Sequence, residues 1–205
     1  MSERVTVFFD YLCPFAWRGA EVAEMVAEPL GLHFEWHHFS LVQSNYGRDN
    51  GWQLWNEKID DADESGGKGL LPFLASCAAR RQGREKHDRF RLELLRARHQ
   101  HNRSLTRRAI LQVAEGAGLH MPTFLSDLAN PECRTLLAQE HHQAVALDVF
   151  GTPTFHFSSG HIAYLRIREL PLDSEEAVRL FSDYRRLLEC YPYLETVKRP
   201  RCRCN

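Results

Sequence analysis

The first forty residues follow the hydrophobic pattern of a strand, a helix and a second strand. Residues 4–9 (Arg-Val-Thr-Val-Phe-Phe) form a nearly continuous apolar run, which is typical of a strand covered on both faces. Residues 14–28 predict a helix that ends at Pro29 and Gly31. Residues 32–39 begin with alternating apolar and polar positions and predict a second strand. Such a β-α-β unit implies parallel strands with a right-handed crossover.

The middle of the chain lacks strand signals. Residues 40–52 are polar and rich in Asn and Gly, so they predict a loop. From 53 to 149 apolar residues recur at helical spacing, and Pro131 is placed to open a helix. The apolar stripes are Phe73, Leu74, Cys77 and Ala78; Phe90, Leu94 and Ala97; and Ala109, Ile110, Val113, Ala114 and Ala117. This segment is therefore predicted to be a helical subdomain.

Strand signals return near the end of the chain. Residues 154–157 and 161–166 predict two strands, and Ser158-Ser159-Gly160 predicts a hairpin between them. Asp173 and Glu176 have the spacing of a capping box, which predicts a final helix to about residue 190. The predicted fold class is therefore α/β.

The pattern divides the chain into a core, an insertion and an extension. With 205 residues, of which 43% are hydrophobic, the chain is long enough to bury a sizeable core. We expect residues 1–52 and 150–190 to form the core and residues 53–149 the inserted helical subdomain. Residues 191–205 then form a C-terminal extension that ends in a short basic tail.

Composition limits the binding partners and the cellular compartment that we expect for this protein. The formal net charge of −1 gives no general attraction to nucleic acid or to a membrane surface. No apolar run approaches the ~20 residues of a membrane-spanning helix, and the N-terminus lacks the pattern of a secretion signal. We therefore expect a cytoplasmic protein. In that compartment the six cysteines are not a disulfide framework, and Cys77 and Cys133 are expected to be inert packing residues.

Cys13 stands where the first strand gives way to the first helix. A helix N-terminus carries about half a positive charge and several unpaired N–H groups, and both stabilise a thiolate. Such positions can lower a thiol pKa from about 8.5 to about 3.5–7.5. The sequence therefore predicts a low pKa and a nucleophilic role for Cys13. The alternative is a buried packing cysteine.

A second candidate lies far downstream, in Phe150-Gly151-Thr152-Pro153-Thr154-Phe155. Proline is confined to strand starts and edges because it cannot donate to a strand ladder. A cis bond at this Thr-Pro step would be a deliberate structural feature. The alternative is a simple turn before a strand.

Together the two stretches resemble the DsbA-like branch of the thioredoxin fold. The match is to FrnE-type oxidoreductases, which are related to kappa-class glutathione transferases and 2-hydroxychromene-2-carboxylate isomerases. Their Asp-x-x-Cys-Pro-Trp-Cys-Tyr motif corresponds to positions 10–17 here, and their Gly-Val-Pro-Thr-Phe to positions 151–155. The resemblance extends to about residue 190. It implies a thioredoxin-like core with a helical insertion and a catalytic Cys13. It also implies a cis Thr152–Pro153 bond beside Cys13, with the Thr152 backbone exposed to pair with an extended substrate.

One departure from the family motif changes the expected chemistry. Ala16 replaces the second cysteine, so the motif reads Cys-Pro-Phe-Ala and cannot close an internal disulfide. The related transferases and isomerases carry Ser where Cys13 stands. The chain therefore lies between the two patterns.

The neighbours of Cys13 are candidates for substrate contact. Asp10 is a possible proton or hydrogen-bond partner, or else a plain turn residue. Pro14, Phe15 and Trp17 are predicted to line a binding face with Thr152 and Pro153, although core packing is the simpler role for Trp17.

Two further groups of residues, the adjacent histidines and the basic stretch 80–108, are candidates for metal binding and anion binding. The adjacent pairs His37-His38 and His141-His142 point in diverging directions, so we predict no metal site. Residues 80–108 carry eleven cations and three anions. They form either solvated helix faces or a basic rim that attracts an anionic substrate. Nucleic acid is not an expected partner, because aromatic residues are not interleaved with these cations.

Three functional hypotheses follow. The first is a thiol-dependent oxidoreductase in which Cys13 forms a mixed disulfide that a low-molecular-weight thiol, such as glutathione, resolves. A competing route uses Cys202 or Cys204 of the tail as the resolving thiol. The second hypothesis is a glutathione-transferase-type or isomerase-type enzyme that uses a bound thiol and keeps Cys13 as a hydrogen-bond donor. The third is a redox-inactive binding module that holds peptides at Thr152. The sequence does not predict the oligomeric state.

Overall fold

The protein is built on a four-stranded mixed sheet with strand order β2-β1-β3-β4. A computed structural model describes residues 2–47, 51–59 and 68–199. The strands are β1 Glu3–Phe9, β2 Leu32–His38, β3 Thr154–Phe157 and β4 Ile162–Tyr164. β1 pairs in parallel with β2 and antiparallel with β3, and β3 pairs antiparallel with β4. The predicted β-α-β unit and the later hairpin are confirmed.

The helices of the described residues follow the predicted order. Their bounds are α1 Pro14–Ala27, α2 Leu41–Tyr46, α3 Leu70–Arg80, α4 Arg84–His99, α5 Arg107–Gly116, α6 Met121–Leu128, α7 Pro131–Ala146 and α8 Ser174–Cys190. Helices α3 to α7 lie inside the range predicted for the helical subdomain. Pro131 opens α7, and Asp173 caps α8 by accepting the Glu176 N–H. Within the described residues no helix is both long and apolar enough to cross a bilayer.

Two details of the prediction are wrong. The polar segment 40–52 was expected to be a loop, yet it contains α2. Ser40 is the N-cap of this helix and accepts a hydrogen bond from the Gln43 N–H at 3.1 Å. The helix therefore begins at a capping residue, although the segment lacks the apolar stripe by which a helix is usually predicted. The last strand is also shorter than predicted and ends at Tyr164.

Each face of the sheet has its own apolar core. On one face α1 and α8 cover the sheet, and Phe181 of α8 packs its ring against Phe34, Phe155 and Phe157. On the other face a smaller cluster forms from Phe8, Phe39, Ala144 and Val149, where α7 of the insertion meets the sheet. Because β1 is central and buried on both faces, its carboxyl end is a rigid platform for the residues that follow it.

A buried ionic cluster attaches the helical subdomain to β2. Glu140 of α7 lies 2.7 Å from His38 Nδ1 and also accepts a hydrogen bond from Arg80 of α3. His38 Nε2 bonds the Ser76 hydroxyl at 2.9 Å. Burial alone would raise the pKa of Glu140, but the charges of His38 and Arg80 outweigh it and hold the pKa well below its usual range. The cluster fixes the insertion relative to the sheet.

Candidate active site

Cys13 begins α1 directly after β1, as the sequence predicts. The chain leaves β1 in a tight turn in which the Cys13 N–H donates to the Asp10 carbonyl at 3.1 Å. Cys13 is the N-cap of the helix and Pro14 is its first residue. Proline suits that position because its missing N–H has no helical partner there. The thiol is therefore held on a rigid element at the carboxyl end of the central strand.

The turn before β3 lies against this thiol. The Thr152–Pro153 bond is cis, which confirms the prediction. The Cys13 thiol donates a hydrogen bond to the Thr152 carbonyl oxygen at 3.3 Å. Cys13, Thr152 and Pro153 thus meet although 139 positions separate Cys13 and Thr152 in the chain. Within the described residues, the Thr152 Oγ1 is buried without a hydrogen-bond partner.

Small residues allow the Thr152 turn to approach the helix and the hairpin. A Cβ on Gly19 of α1 would lie 3.1 Å from Pro153 Cβ and closer still to Cγ, so only glycine admits the ring. A Cβ on Gly151 would lie 3.3 Å from the ring of Tyr164. The Leu165 N–H donates a hydrogen bond to the Pro153 carbonyl oxygen at 3.1 Å. These contacts position the cis-proline turn from two sides.

The predicted low pKa of Cys13 is wrong for the resting thiol. Burial is the largest influence and raises the pKa of Cys13. The backbone N–H groups of Ala16 and Phe15 favour the thiolate, while the Asp10 charge disfavours it. Desolvation outweighs the helix N-terminus because Cys13 is buried, with 6% of the residue exposed. The resting side chain is therefore a protonated thiol.

Asp10 acts on the thiol by charge, and its hydrogen bonds go to the backbone. One carboxylate oxygen accepts the Leu12 N–H and the other accepts the Leu41 N–H, both at 2.8 Å. Asp10 thereby joins the turn after β1 to the start of α2. Burial raises the pKa of Asp10 to about 6, against the effect of these two bonds. Asp10 is thus a positioning residue whose charge changes near neutral pH.

The position of the missing second cysteine is a buried alanine. Ala16 is fully buried on the first turn of α1. The other cysteines of the described residues are free. Cys77 and Cys133, in α3 and α7, hydrogen-bond to each other, and Cys190 is exposed at the end of α8. Cys202 and Cys204 lie outside the described residues.

The three residues around Ala16 have different surroundings. Pro14 is exposed and Phe15 is half-buried. The guanidinium carbon of Arg166 lies 3.9 Å from the centroid of the Phe15 ring. Trp17 donates from Nε1 to Glu21 at 3.0 Å and stacks on His99, so it packs α1 against α4. Phe15 therefore lies at the rim of the site, and Trp17 supports it.

Sequence reasoning missed the residues that β4 brings to the site. The Tyr164 ring covers Gly151 and meets the Phe150 ring edge-on, with centroids 5.6 Å apart. Burial is the main influence that raises the pKa of Tyr164, and the nearby Cys13 raises it further. The predicted hairpin was the available signal. Because β4 runs antiparallel to β3, the end of β4 lies beside the turn that precedes β3.

Most of the basic stretch 80–108 belongs to solvated or paired helix faces. Arg81 pairs with Asp127 and Glu132, and Arg96 makes a bidentate pair with Glu21. Arg80, Arg84, Arg89 and Arg91 also form ion pairs. These contacts favour the structural alternative over a basic rim formed by this stretch.

Comparisons with solved structures identify the same fold. A thioredoxin-like oxidoreductase from Silicibacter pomeroyi is 20% identical with a TM-score of 0.58, over 91% of this chain and 87% of that one. The cytosolic disulfide reductase DsbM from Pseudomonas aeruginosa, solved with GSH, is 17% identical with a TM-score of 0.58, over 93% and 100%. A 2-hydroxychromene-2-carboxylate isomerase is 16% identical with a TM-score of 0.60, over 94% and 100%.

Comparison with family models gives a more specific result. A search of curated protein sequences gave no match. The model of the DSBA-like thioredoxin domain, in contrast, matches residues 4–65 and 72–167. The match includes Cys13, the cis-proline turn and nearly all of the helical insertion. This protein therefore belongs to the family of DSBA-like thioredoxin domains.

Proposed function

We propose that the protein is a thiol–disulfide oxidoreductase that works with one active-site cysteine and a small thiol as cosubstrate. The observation that carries the proposal is the environment of the Cys13 sulfur. It lies 3.3 Å from the carbonyl that precedes a cis-proline, while a buried alanine stands where a second thiol would resolve a disulfide.

The exchange takes place in two balanced steps. The Cys13 thiolate attacks one sulfur of a substrate R–S–S–R′, so a Cys13–S–S–R bond forms, the S–S bond breaks and R′–S⁻ leaves and takes up a proton. The thiolate of a small thiol T–SH then attacks the sulfur of R. Cys13 leaves as a thiolate and is reprotonated, and the products are R′–SH and R–S–S–T. No internal disulfide is needed.

The raised pKa of Cys13 favours reduction of substrates over their oxidation. A strongly oxidising site has a stabilised thiolate, which makes its disulfide easy to reduce. Burial of Cys13 works against that stabilisation. A thiol of higher pKa is also the more intrinsically nucleophilic sulfur once it is deprotonated. Both effects support a reductase or thiol-transfer role in a cytoplasmic setting.

The Thr152 turn is suited to hold the substrate. The Thr152 N–H has no hydrogen-bond partner in the part of the chain that the structure describes. Among the described residues its carbonyl accepts a hydrogen bond only from the Cys13 thiol, which loses its proton when it attacks. An extended substrate segment could then pair with both groups as an added strand. The neighbouring DsbM structure, which contains GSH, supports a glutathione-like cosubstrate.

The test compares Cys13→Ser with the unmodified protein. The reduction of 2-hydroxyethyl disulfide should require added glutathione, and Cys13→Ser should remove turnover. Cys190→Ser is the control, because it removes an exposed cysteine outside the site. If Cys13→Ser retains full turnover, the proposal is wrong.

A second candidate function is a transferase or isomerase that uses a bound thiol. The observation in its favour is that the Cys13 thiol is protonated and donates a hydrogen bond. In that reaction Cys13 would donate to the sulfur of bound glutathione, and no mixed disulfide would form. A serine hydroxyl can make the same bond. Retained glutathione-dependent activity in Cys13→Ser, without a covalent adduct on the unmodified protein, would favour this function.

A further inference from the structure

Two guanidinium groups lie around the ring of Phe15, beside the reactive thiol. Arg166 Cζ is 3.9 Å from the ring centroid, and Arg18 Cζ lies between this ring and that of Trp17, 5.7 Å and 5.4 Å from their centroids. Phe15 belongs to the same helical turn as Cys13, and its backbone N–H is among the groups that favour the Cys13 thiolate. Positive charge from α1 and from the segment after β4 therefore converges at the rim of the site.

These two arginines lack the carboxylate partner that ten other arginines of the described residues have. Among residues 2–47, 51–59 and 68–199, neither Arg18 nor Arg166 forms an ion pair with a carboxylate, whereas Arg80, Arg96 and Arg185 each do. An anion between or beside two like charges offsets their mutual repulsion. Their arrangement is suited to a negatively charged ligand.

Arg166 is held by aromatic contacts and a hydrogen bond to a hydroxyl. Its guanidinium covers Phe15 and hydrogen-bonds to Tyr164, which is itself packed on Gly151 and Phe150. A guanidinium has five N–H donors, so stacking and one bond to Tyr164 leave donors for a bidentate carboxylate.

We propose that Arg166 and Arg18 form a carboxylate subsite that selects an anionic thiol as the second thiol of the exchange. The inference rests on the proposed function and names its cosubstrate class: a small thiol that carries a carboxylate. The guanidinium groups hold this carboxylate while the sulfur of the small thiol attacks the outer sulfur of the Cys13 mixed disulfide. The subsite therefore acts on the resolving step, and not on the first attack by Cys13.

The experiment isolates that step with an uncharged adduct. Cys13 is first converted to its mixed disulfide with 2-mercaptoethanol, and intact mass then follows its decay under an excess of one thiol. The thiols are glutathione and N-acetylcysteine, which are anionic, 2-mercaptoethanol, which is neutral, and cysteamine, which is cationic. Each variant is compared with the unmodified protein for the same thiol, so differences in thiol reactivity cancel.

We expect Arg166→Gln to lower the second-order rate constant for both anionic thiols about fivefold, the effect of one good solvent-exposed ion pair. The rate constant for 2-mercaptoethanol should stay within about twofold, and that for cysteamine should rise. Arg18→Gln should act in the same direction. Arg168→Gln is the matched control, since Arg168 is another exposed cation of the same segment. It should leave all four rate constants unchanged.

Three other outcomes would overturn the proposed subsite. An equal loss for all four thiols would make Arg166 a structural residue and overturn the subsite. Unchanged rate constants for the anionic thiols would also overturn it, while the exchange function itself would stand. If no mixed disulfide forms on Cys13 at all, the proposed function fails, and the subsite fails with it.

Discussion

Gly19→Ala tests how the cis-proline turn is held against the thiol. Gly19 lies in the interior of α1, where alanine is normally favoured over glycine by about 1 kcal/mol. Here the added methyl would lie 3.1 Å from Pro153 Cβ and in steric overlap with Cγ. Forcing a methyl group into a packed contact costs about 1–3 kcal/mol. We therefore expect a net loss of about 1 kcal/mol in the free energy of unfolding.

The same change should affect the chemistry of Cys13. The Pro153 ring can escape the methyl only by moving away from α1, and it carries the Thr152 carbonyl with it. The 3.3 Å hydrogen bond to the Cys13 thiol would then weaken. We expect slower disulfide exchange at Cys13 in addition to the loss of stability. Urea unfolding and stopped-flow reaction with a model disulfide measure the two effects.

Gly116→Ala is the matched control. Gly116 ends α5, and a Cβ there would have nothing within 4 Å. Alanine should therefore raise stability by up to about 1 kcal/mol and leave exchange unchanged. If Gly19→Ala stabilises the protein as much as Gly116→Ala and exchange is unaffected, our account of how Pro153 packs is refuted.

Three further predictions concern titratable groups. Alkylation of Cys13 should still be accelerating above about pH 8.5, the usual thiol pKa, because burial raises its pKa; a plateau below pH 8 would contradict this. Asp10 has a pKa of about 6 in the folded state, so the folded protein binds its proton more tightly than the unfolded chain does. Stability should fall by roughly 2 kcal/mol as pH rises from about 4 to about 6, and Asp10→Asn should flatten this part of a urea-unfolding profile; an unchanged slope would contradict the assignment. Glu140→Gln breaks a buried charge cluster and should cost about 3 kcal/mol by the same assay, whereas Glu132→Gln, in an exposed pair, should cost under about 1 kcal/mol; equal losses would contradict the burial argument.

Local hydrophobic pattern was sufficient for the core of the fold. The apolar run of β1, the helix after Cys13 and the turn at Gly160 are set by neighbouring residues, and all three were predicted within one or two residues. α2 was missed because a Ser40 cap and backbone bonds define it, and an apolar stripe does not. Local signals therefore fail where capping alone determines the structure.

The electrostatics of the candidate site could not be derived from local sequence. The helix N-terminus at Cys13 is a local feature and predicts a low pKa. Burial reverses this prediction, and the Thr152 carbonyl that lies against the thiol is 139 positions away in the chain. Arg166 was missed for a related reason, since only the pairing of β3 with β4 brings it to Phe15. Both features depend on tertiary contacts between distant segments.

The central claim is that Cys13 works alone and depends on a second, external thiol. The test is intact mass spectrometry of the full chain after reaction with one equivalent of 2-hydroxyethyl disulfide and immediate desalting, which removes the 2-mercaptoethanol released in the first step. We expect one adduct of a single 2-mercaptoethanol unit, located on Cys13, which persists until glutathione is added. An adduct that forms on Cys13 and disappears without added thiol would refute the dependence on an external thiol, because another cysteine of the chain, such as Cys202 or Cys204, would then resolve it.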